Sequence, residues 1–202
     1  MRPFAARSLS GILLIVAFVL HMGGVVLFIG SQFYGWFVDS PTLLAWERSM
    51  FIAAYVAAAL GVALLENILR ETAAAVLARL GVTAFLMAAV VALVVEATFM
   101  GGRASTTRLV YVMVVLLYVA EAILGAALLG SGAVPAWIGW AMLAWNIGWL
   151  LVLPVVSPGD IYYPILHFVP LLLIGIPLAR RAASVFRDGG DGVEGRVTGR
   201  VR

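Results

Sequence analysis

The chain contains neither cysteine nor lysine among its 202 residues. Without cysteine it forms no disulfide, thiolate metal site or thiol redox centre. Without lysine it cannot form a Schiff base through a lysine amine. Charged residues are also scarce, at 11% of the chain, whereas an average soluble domain has about 25%. This scarcity argues against a disordered protein, a soluble enzyme and a nucleic-acid-binding protein, so we expect no nucleic acid among the partners.

Hydrophobic residues make up 64% of the chain, which exceeds the roughly 45–50% of soluble domains. They concentrate in six segments, each long enough for the about 20 residues with which a helix crosses a bilayer. The segments are residues 9–30, 44–69, 72–100, 106–130, 135–156 and 160–179. We therefore predict an all-α polytopic membrane protein, in which a bundle of six transmembrane helices occupies residues 1–182 and contacts the lipid bilayer.

The arginines predict the orientation of this bundle. Placing the N-terminus in the cytoplasm puts three arginines outside (Arg48, Arg103 and Arg108) and seven inside (Arg2, Arg7, Arg70, Arg79, Arg180, Arg181 and Arg187). Arginine accumulates in cytoplasmic loops, so the pattern favours an N-in, C-in topology. The composition, rich in Ala, Val and Arg, leads us to expect a bacterial plasma (inner) membrane. Residues 183–202 are rich in glycine and mixed charge and predict a flexible cytoplasmic tail.

Polar side chains inside the spans are the candidates for function, because a polar group in hydrocarbon is costly unless it serves a purpose. Five such residues form our predicted ligand-binding set: His21, Glu96, Glu121, Asn146 and His167. We predict that they hold a small or lipid-like molecule in an outward-facing cavity between the first, third, fourth and last spans. Glu121 and Asn146 lie at similar depths on consecutive spans. They predict either a proton- or cation-linked transport site or a hydrogen bond between helices.

The two histidines suggest an alternative function. His21 lies mid-way along the first span and His167 lies within the last, so two neighbouring helices would let them ligate one b-type haem. Gly23 and Gly24 would then give room for the macrocycle. Glu96 together with both histidines has ligand types suitable for zinc, but one ligand per helix fixes no geometry. We therefore predict no metal site, and haem b is the only cofactor that the sequence suggests.

Two further features concern the surroundings of these residues. Glu96 lies near the outer end of its span, where Arg103 or Arg108 would pair with it. Pro170 follows His167 by three residues, and an interior proline kinks a helix because it removes a backbone hydrogen bond. We therefore expect a kinked last helix beside the ligand.

Motifs for hydrolysis or nucleotide binding do not occur: there is no P-loop, HExxH or GxSxG. Their absence favours a non-enzymatic role. Small residues recur every four positions in three spans, which is typical of close helix contacts. They are Ala53, Ala57 and Gly61, then Ala84, Ala88 and Ala92, then Ala122, Ala126 and Gly130. These stripes leave open another alternative, in which the protein is a structural or accessory subunit of a membrane complex or forms a homo-oligomer.

Overall fold

The computed structural model describes residues 3–35, 40–100, 107–156 and 167–180. Within these ranges the fold is entirely helical and contains no strand. The six helices are α1 (Pro3–Tyr34), α2 (Pro41–Leu69), α3 (Ala75–Met100), α4 (Thr107–Leu129), α5 (Ala136–Val156) and α6 (Val169–Arg180). The first five are long and apolar enough to cross a membrane. The prediction of an all-α membrane bundle is confirmed.

The surface of the bundle is apolar where a soluble protein would be polar. Val76, Leu151 and Val155 expose 81%, 70% and 80% of their surface. Large aliphatic side chains at this exposure are stable against lipid tails and unfavourable against water. The protein is therefore an integral membrane protein, although its orientation and the identity of the membrane remain predictions.

The helix α6 differs from the kinked span that the sequence suggests. It begins at Val169, so Pro170 falls in the first turn and not in the helix interior. The first turn of a helix has N–H groups without intrahelical partners, so a proline there removes no hydrogen bond. The expected kink at Pro170 is wrong for this reason. Residues 160–166 of the predicted span, and the predicted tail at 183–202, lie outside the described residues.

Consecutive helices pack against each other from α1 to α5. The α1–α2 contact includes a hydrogen bond in which the buried Ser10 hydroxyl donates to the Gly61 carbonyl oxygen at 2.8 Å. Helix α6 packs on α1 through glycines. A Cβ placed on Gly11 would lie 2.8 Å from the Gly175 carbonyl oxygen and 2.5 Å from the Ala179 nitrogen. The two backbones thus approach as closely as hydrogen at Cα allows, which is how small residues hold membrane helices together.

The predicted orientation has a direct test, because a chain without cysteine gives every introduced cysteine a unique label. Thr42, near the start of α2, and Glu71, just after α2, are both exposed and lie at opposite ends of the helix. We expect a membrane-impermeant maleimide to label Thr42→Cys in intact cells and Glu71→Cys only after permeabilisation. The reverse pattern would show that the bundle is inserted with its N-terminus outside.

Candidate functional site

His21 lies on α1 among aromatic side chains. The residue is fully buried. Its ring stacks on Phe168 at 3.9 Å between centroids with an interplanar angle of 18°, and Phe51 of α2 lies tilted at 5.0 Å. The residue that directly precedes α6, Phe168, is thus held against α1 and α2 by aromatic packing.

His167 points to a different neighbour, since adjacent residues project in different directions. It is buried, and its ring lies 4.9 Å from the ring of Tyr118 on α4. Neither His167 ring nitrogen has a hydrogen-bond partner among the described residues, and the same holds for the Tyr118 hydroxyl. Buried polar atoms in proteins almost always have a partner. The His167 ring and the Tyr118 hydroxyl could therefore form hydrogen bonds that they do not form with the described residues.

The two histidines have different aromatic neighbours, which bears on the hypothesis of a bis-histidine haem. Axial ligands face one iron from the two sides of a flat macrocycle, each through one ring nitrogen. Here Phe168 covers the face of His21, while His167 turns towards Tyr118. A ring stacked on the face of His21 leaves the two nitrogens at the edge of its ring uncovered. The haem hypothesis therefore stays a prediction that these contacts do not test.

The glycines that would have made room for a macrocycle serve helix packing. A Cβ on Gly23 would lie 2.9 Å from the sulfur of Met50, and one on Gly24 would lie 2.8 Å from the Phe51 ring. Side chains of α2 thus fill the space beside both glycines. In the described part of the chain no three His, Asp or Glu side chains come together as a metal site. The zinc set of both histidines with Glu96 is therefore not assembled.

Glu121 and Asn146 meet, as their depths predict, and the Asn146 side chain interacts with the Glu121 carboxyl group. Glu121 on α4 is 1% exposed, and the Asn146 side chain on α5 lies beside its carboxyl group. The Asn146 amide also donates to the Met142 carbonyl oxygen at 2.8 Å. The contact with Asn146 leaves both carboxyl oxygens of Glu121 without a hydrogen bond of ordinary length and angle among the described residues. An ionised carboxylate in this position needs a counter-charge, a proton or hydrogen-bond donors.

Tyr55 of α2 links these groups at the centre of the bundle. It is fully buried, and its ring lies 6.2 Å from His21 and 5.3 Å from Phe168. Its hydroxyl lies within electrostatic range of the Glu96 and Glu121 carboxyls. That hydroxyl also lacks a hydrogen-bond partner in the described chain. We use the name interior polar cluster for five residues: Tyr55, Tyr118, Glu121, Asn146 and His167.

Glu96 belongs to a separate group of charges at the end where α2 begins and α3 ends. The Arg48 guanidinium donates to Glu96 at 2.9 Å and lies 2.8 Å from a Glu47 oxygen. All three residues are buried, and Arg48 also lies over the Phe99 ring at 4.7 Å. The expected pairing of Glu96 with Arg103 or Arg108 is wrong for Arg108, which is exposed, while Arg103 lies outside the described residues. We call Glu47, Arg48 and Glu96 the charged triad.

The predicted outward-facing cavity receives no support from the described residues. Among the cavities that they line are three of about 410–420 Å³, on α5, on α3, and between the start of α1 and the end of α2. None of these three contains a residue of the predicted ligand-binding set. The loops at the predicted outer end, residues 36–39, 101–106 and 157–166, lie outside the described ranges. The cavity therefore remains a prediction.

The sequence reasoning missed the aromatic residues of the site. Tyr55, Tyr118 and Phe168 connect the polar groups that it did identify. For the tyrosines a signal was present. Tyrosine in membrane proteins concentrates at the interface, where its hydroxyl reaches water. Tyr55 and Tyr118 instead lie many residues from the ends of α2 and α4, so their hydroxyls had to be buried in the bundle.

Comparison of the chain with protein-family models, with curated proteins and with solved structures finds no match. The function must therefore be argued from the site itself.

Proposed function

We propose that this protein binds a small cationic molecule at the interior polar cluster and passes it through the membrane. The observation that carries the proposal is Glu121, whose carboxyl group lies in the bundle interior beside the neutral Asn146 amide and without a cationic partner among the described residues. A ligand that offers positive charge or hydrogen-bond donors would satisfy the carboxyl oxygens.

The buried charged side chains of the described residues favour a cationic ligand. The buried ionisable side chains of the described ranges include three carboxyls, those of Glu47, Glu96 and Glu121, and a single guanidinium, that of Arg48. Arg48 already contacts the other two acids. Among the described residues no further arginine is buried near Glu121, so a cationic ligand would compensate its carboxylate and an anionic ligand would not.

The aromatic residues around Glu121 suit the same class of ligand. Tyr118 lies one helical turn before Glu121 on α4, and Tyr55 faces it from α2. Aromatic faces attract cations, most strongly where water is excluded. Ligand sites in membrane bundles combine apolar walls with a few polar groups that fix orientation. Tyr55, Tyr118 and Glu121 together provide both elements.

Replacing Glu121 with glutamine tests the proposal. We expect the purified parent to bind tetraphenylphosphonium or tetraethylammonium saturably. We expect Glu121→Gln to bind either cation about tenfold or more weakly, because it loses the electrostatic attraction between the carboxylate and the cation. Tyr118→Phe keeps the ring and removes the hydroxyl, so we expect a loss of about fivefold. Equilibrium binding of the radiolabelled cations in detergent would measure both effects.

Glu66→Gln is the matched control. Glu66 is an acid of α2 with a 32% exposed side chain, and its partner Arg79 lies 3.6 Å away, remote from the cluster. We expect this variant to bind both cations as the parent does. The proposal is overturned if neither cation binds saturably, or if Glu121→Gln binds as tightly as Glu66→Gln.

A second measurement separates binding from passage. If one cation displaces one proton from Glu121, adding tetraethylammonium outside vesicles that contain the parent and the pH dye pyranine will change the internal pH. Vesicles with Glu121→Gln will show no such change. Cation uptake by Glu121→Gln at the rate of the parent would refute a role of Glu121 in passage.

A further inference from the structure

A cavity at the opposite end from the charged triad carries an inference that is independent of the proposed function. It lies between the start of α1 and the end of α2 and has a volume of about 410 Å³. Its lining residues are Ala6, Arg7, Leu64, Asn67, Ile68, Arg70 and Glu71. Arg7 of α1 and Arg70, the C-cap residue of α2, thus line one space beside the short α2–α3 connection.

We propose that this cavity binds the phosphate group of an anionic lipid. Guanidinium groups bind phosphate oxygens in a bidentate manner, and Arg7 and Arg70 approach from two helices. The Asn67 side chain adds an amide donor. Glu71 also lines the cavity, so its formal charge is positive by one. Basic cavities between helices at the cytoplasmic surface are a recognised form of lipid headgroup site.

The apolar part of the lining favours a lipid over a free phosphate. Ala6, Leu64 and Ile68 share the cavity with the two arginines. A lipid places its phosphate beside a glycerol unit and the first methylenes of its acyl chains, which would cover these apolar side chains and exclude water from them. Inorganic phosphate would leave them exposed. The shape of the site thus combines a charged half and an apolar half, as a lipid headgroup does.

The position of the cavity agrees with this ligand. Its end of the bundle carries four arginines in the described part of the chain, Arg7, Arg70, Arg79 and Arg180. This is also the end predicted to face the cytoplasm. Anionic lipids give the cytoplasmic leaflet a negative surface potential that attracts juxtamembrane arginine. A lipid bound here would bridge α1 and α2 and strengthen their contact.

The double variant Arg7→Gln/Arg70→Gln tests the proposal. Both arginines are exposed, so their replacement leaves the core intact. We expect the parent to bind short-chain phosphatidylglycerol, measured by native mass spectrometry of the detergent-solubilised protein, and to bind short-chain phosphatidylcholine much more weakly. Each arginine near a membrane surface contributes about fivefold in affinity, so the double variant should bind phosphatidylglycerol about 25-fold more weakly.

Three controls make the result decisive. Arg79→Gln removes an arginine at the same end that lines a different cavity, and it should bind as the parent does. Glu71→Gln removes the opposing carboxylate and should bind phosphatidylglycerol more tightly. Inorganic phosphate, added as a competitor, should displace the lipid only at much higher concentration.

The outcomes separate the possible ligands. If inorganic phosphate competes as well as the lipid, the site takes soluble phosphates and the lipid assignment is wrong. The proposal also fails if phosphatidylcholine binds as tightly as phosphatidylglycerol, or if the double variant retains the affinity of the parent.

Discussion

Replacing Arg48 with methionine is expected to destabilise the bundle by about 3–5 kcal/mol, the cost of breaking a buried ion pair by removing one partner. The variant leaves Glu47 and Glu96 buried side by side without the guanidinium that now contacts both. It also removes the cation from the face of Phe99. Membrane proteins of this size have limited stability, so we expect a large loss of folded, monodisperse protein on heating in dodecyl maltoside.

The triple variant Glu47→Gln/Arg48→Met/Glu96→Gln distinguishes the loss of charge balance from the loss of packing. Replacing a whole buried charge group by neutral residues is often close to neutral, so we expect the triple variant to be more stable than Arg48→Met alone. Arg108→Met, which removes an exposed arginine at the same end, should be as stable as the parent. An Arg48→Met protein with the thermal stability of the parent would disprove the structural role of the charged triad.

Replacing Gly11 with leucine is expected to cost about 3 kcal/mol, the upper part of the range for overpacking. A Cβ at this position meets the backbone of α6, at the Gly175 carbonyl and the Ala179 nitrogen, and not the end of a flexible side chain. Helices α1 and α6 would therefore have to separate. Since His167 lies directly before α6, the variant should lose binding of tetraphenylphosphonium as well as stability.

Gly148→Leu provides the matched control, because nothing lies within 4 Å of a Cβ built on Gly148 of α5. Glycine weakens a helix interior by roughly 0.5–1 kcal/mol relative to alanine, so this substitution should be neutral or slightly stabilising. Unfolding of both variants in mixed micelles with increasing sodium dodecyl sulfate would give the two free energies. Equal stability of Gly11→Leu and Gly148→Leu would contradict the close α1–α6 contact.

The location of the buried polar residues was predictable from the sequence, but their partners were not. All five residues of the predicted ligand-binding set are buried inside the bundle, as the cost of polar groups in lipid requires. Yet Glu96 pairs with Arg48, a residue 48 positions away that the sequence reasoning placed at the outer surface. A single histidine or acid on a helix has no spacing pattern that identifies its partner, because the partner is chosen by the rotation of two helices about their axes.

The structural roles of two glycines and one proline differ from those that the sequence predicts. Gly23 and Gly24 suggested room for a macrocycle, whereas side chains of α2 occupy that space. Pro170 suggested a kink, whereas it lies in the first turn of α6. The local property of each residue, the small volume of glycine or the missing N–H of proline, is as predicted. Its effect depends on which side chains of the neighbouring helix lie beside the glycine, and on whether the proline lies in the first turn or in the helix interior.

The all-α membrane class and the absence of cysteine and lysine chemistry follow from the amino-acid sequence. Composition and the length of the apolar runs are enough for them, because these act on each segment independently of the others. Helix packing, in contrast, stacks Phe168 on His21 and brings Arg48 into contact with two acids. It also leaves Glu121 without a cationic side chain beside it among the described residues. These relations depend on side-chain packing between helices far apart in the chain. Because the chain has no lysine, only arginine could supply a permanent positive charge beside Glu121. Arg48 already contacts two other acids, and the described interior contains no further buried arginine.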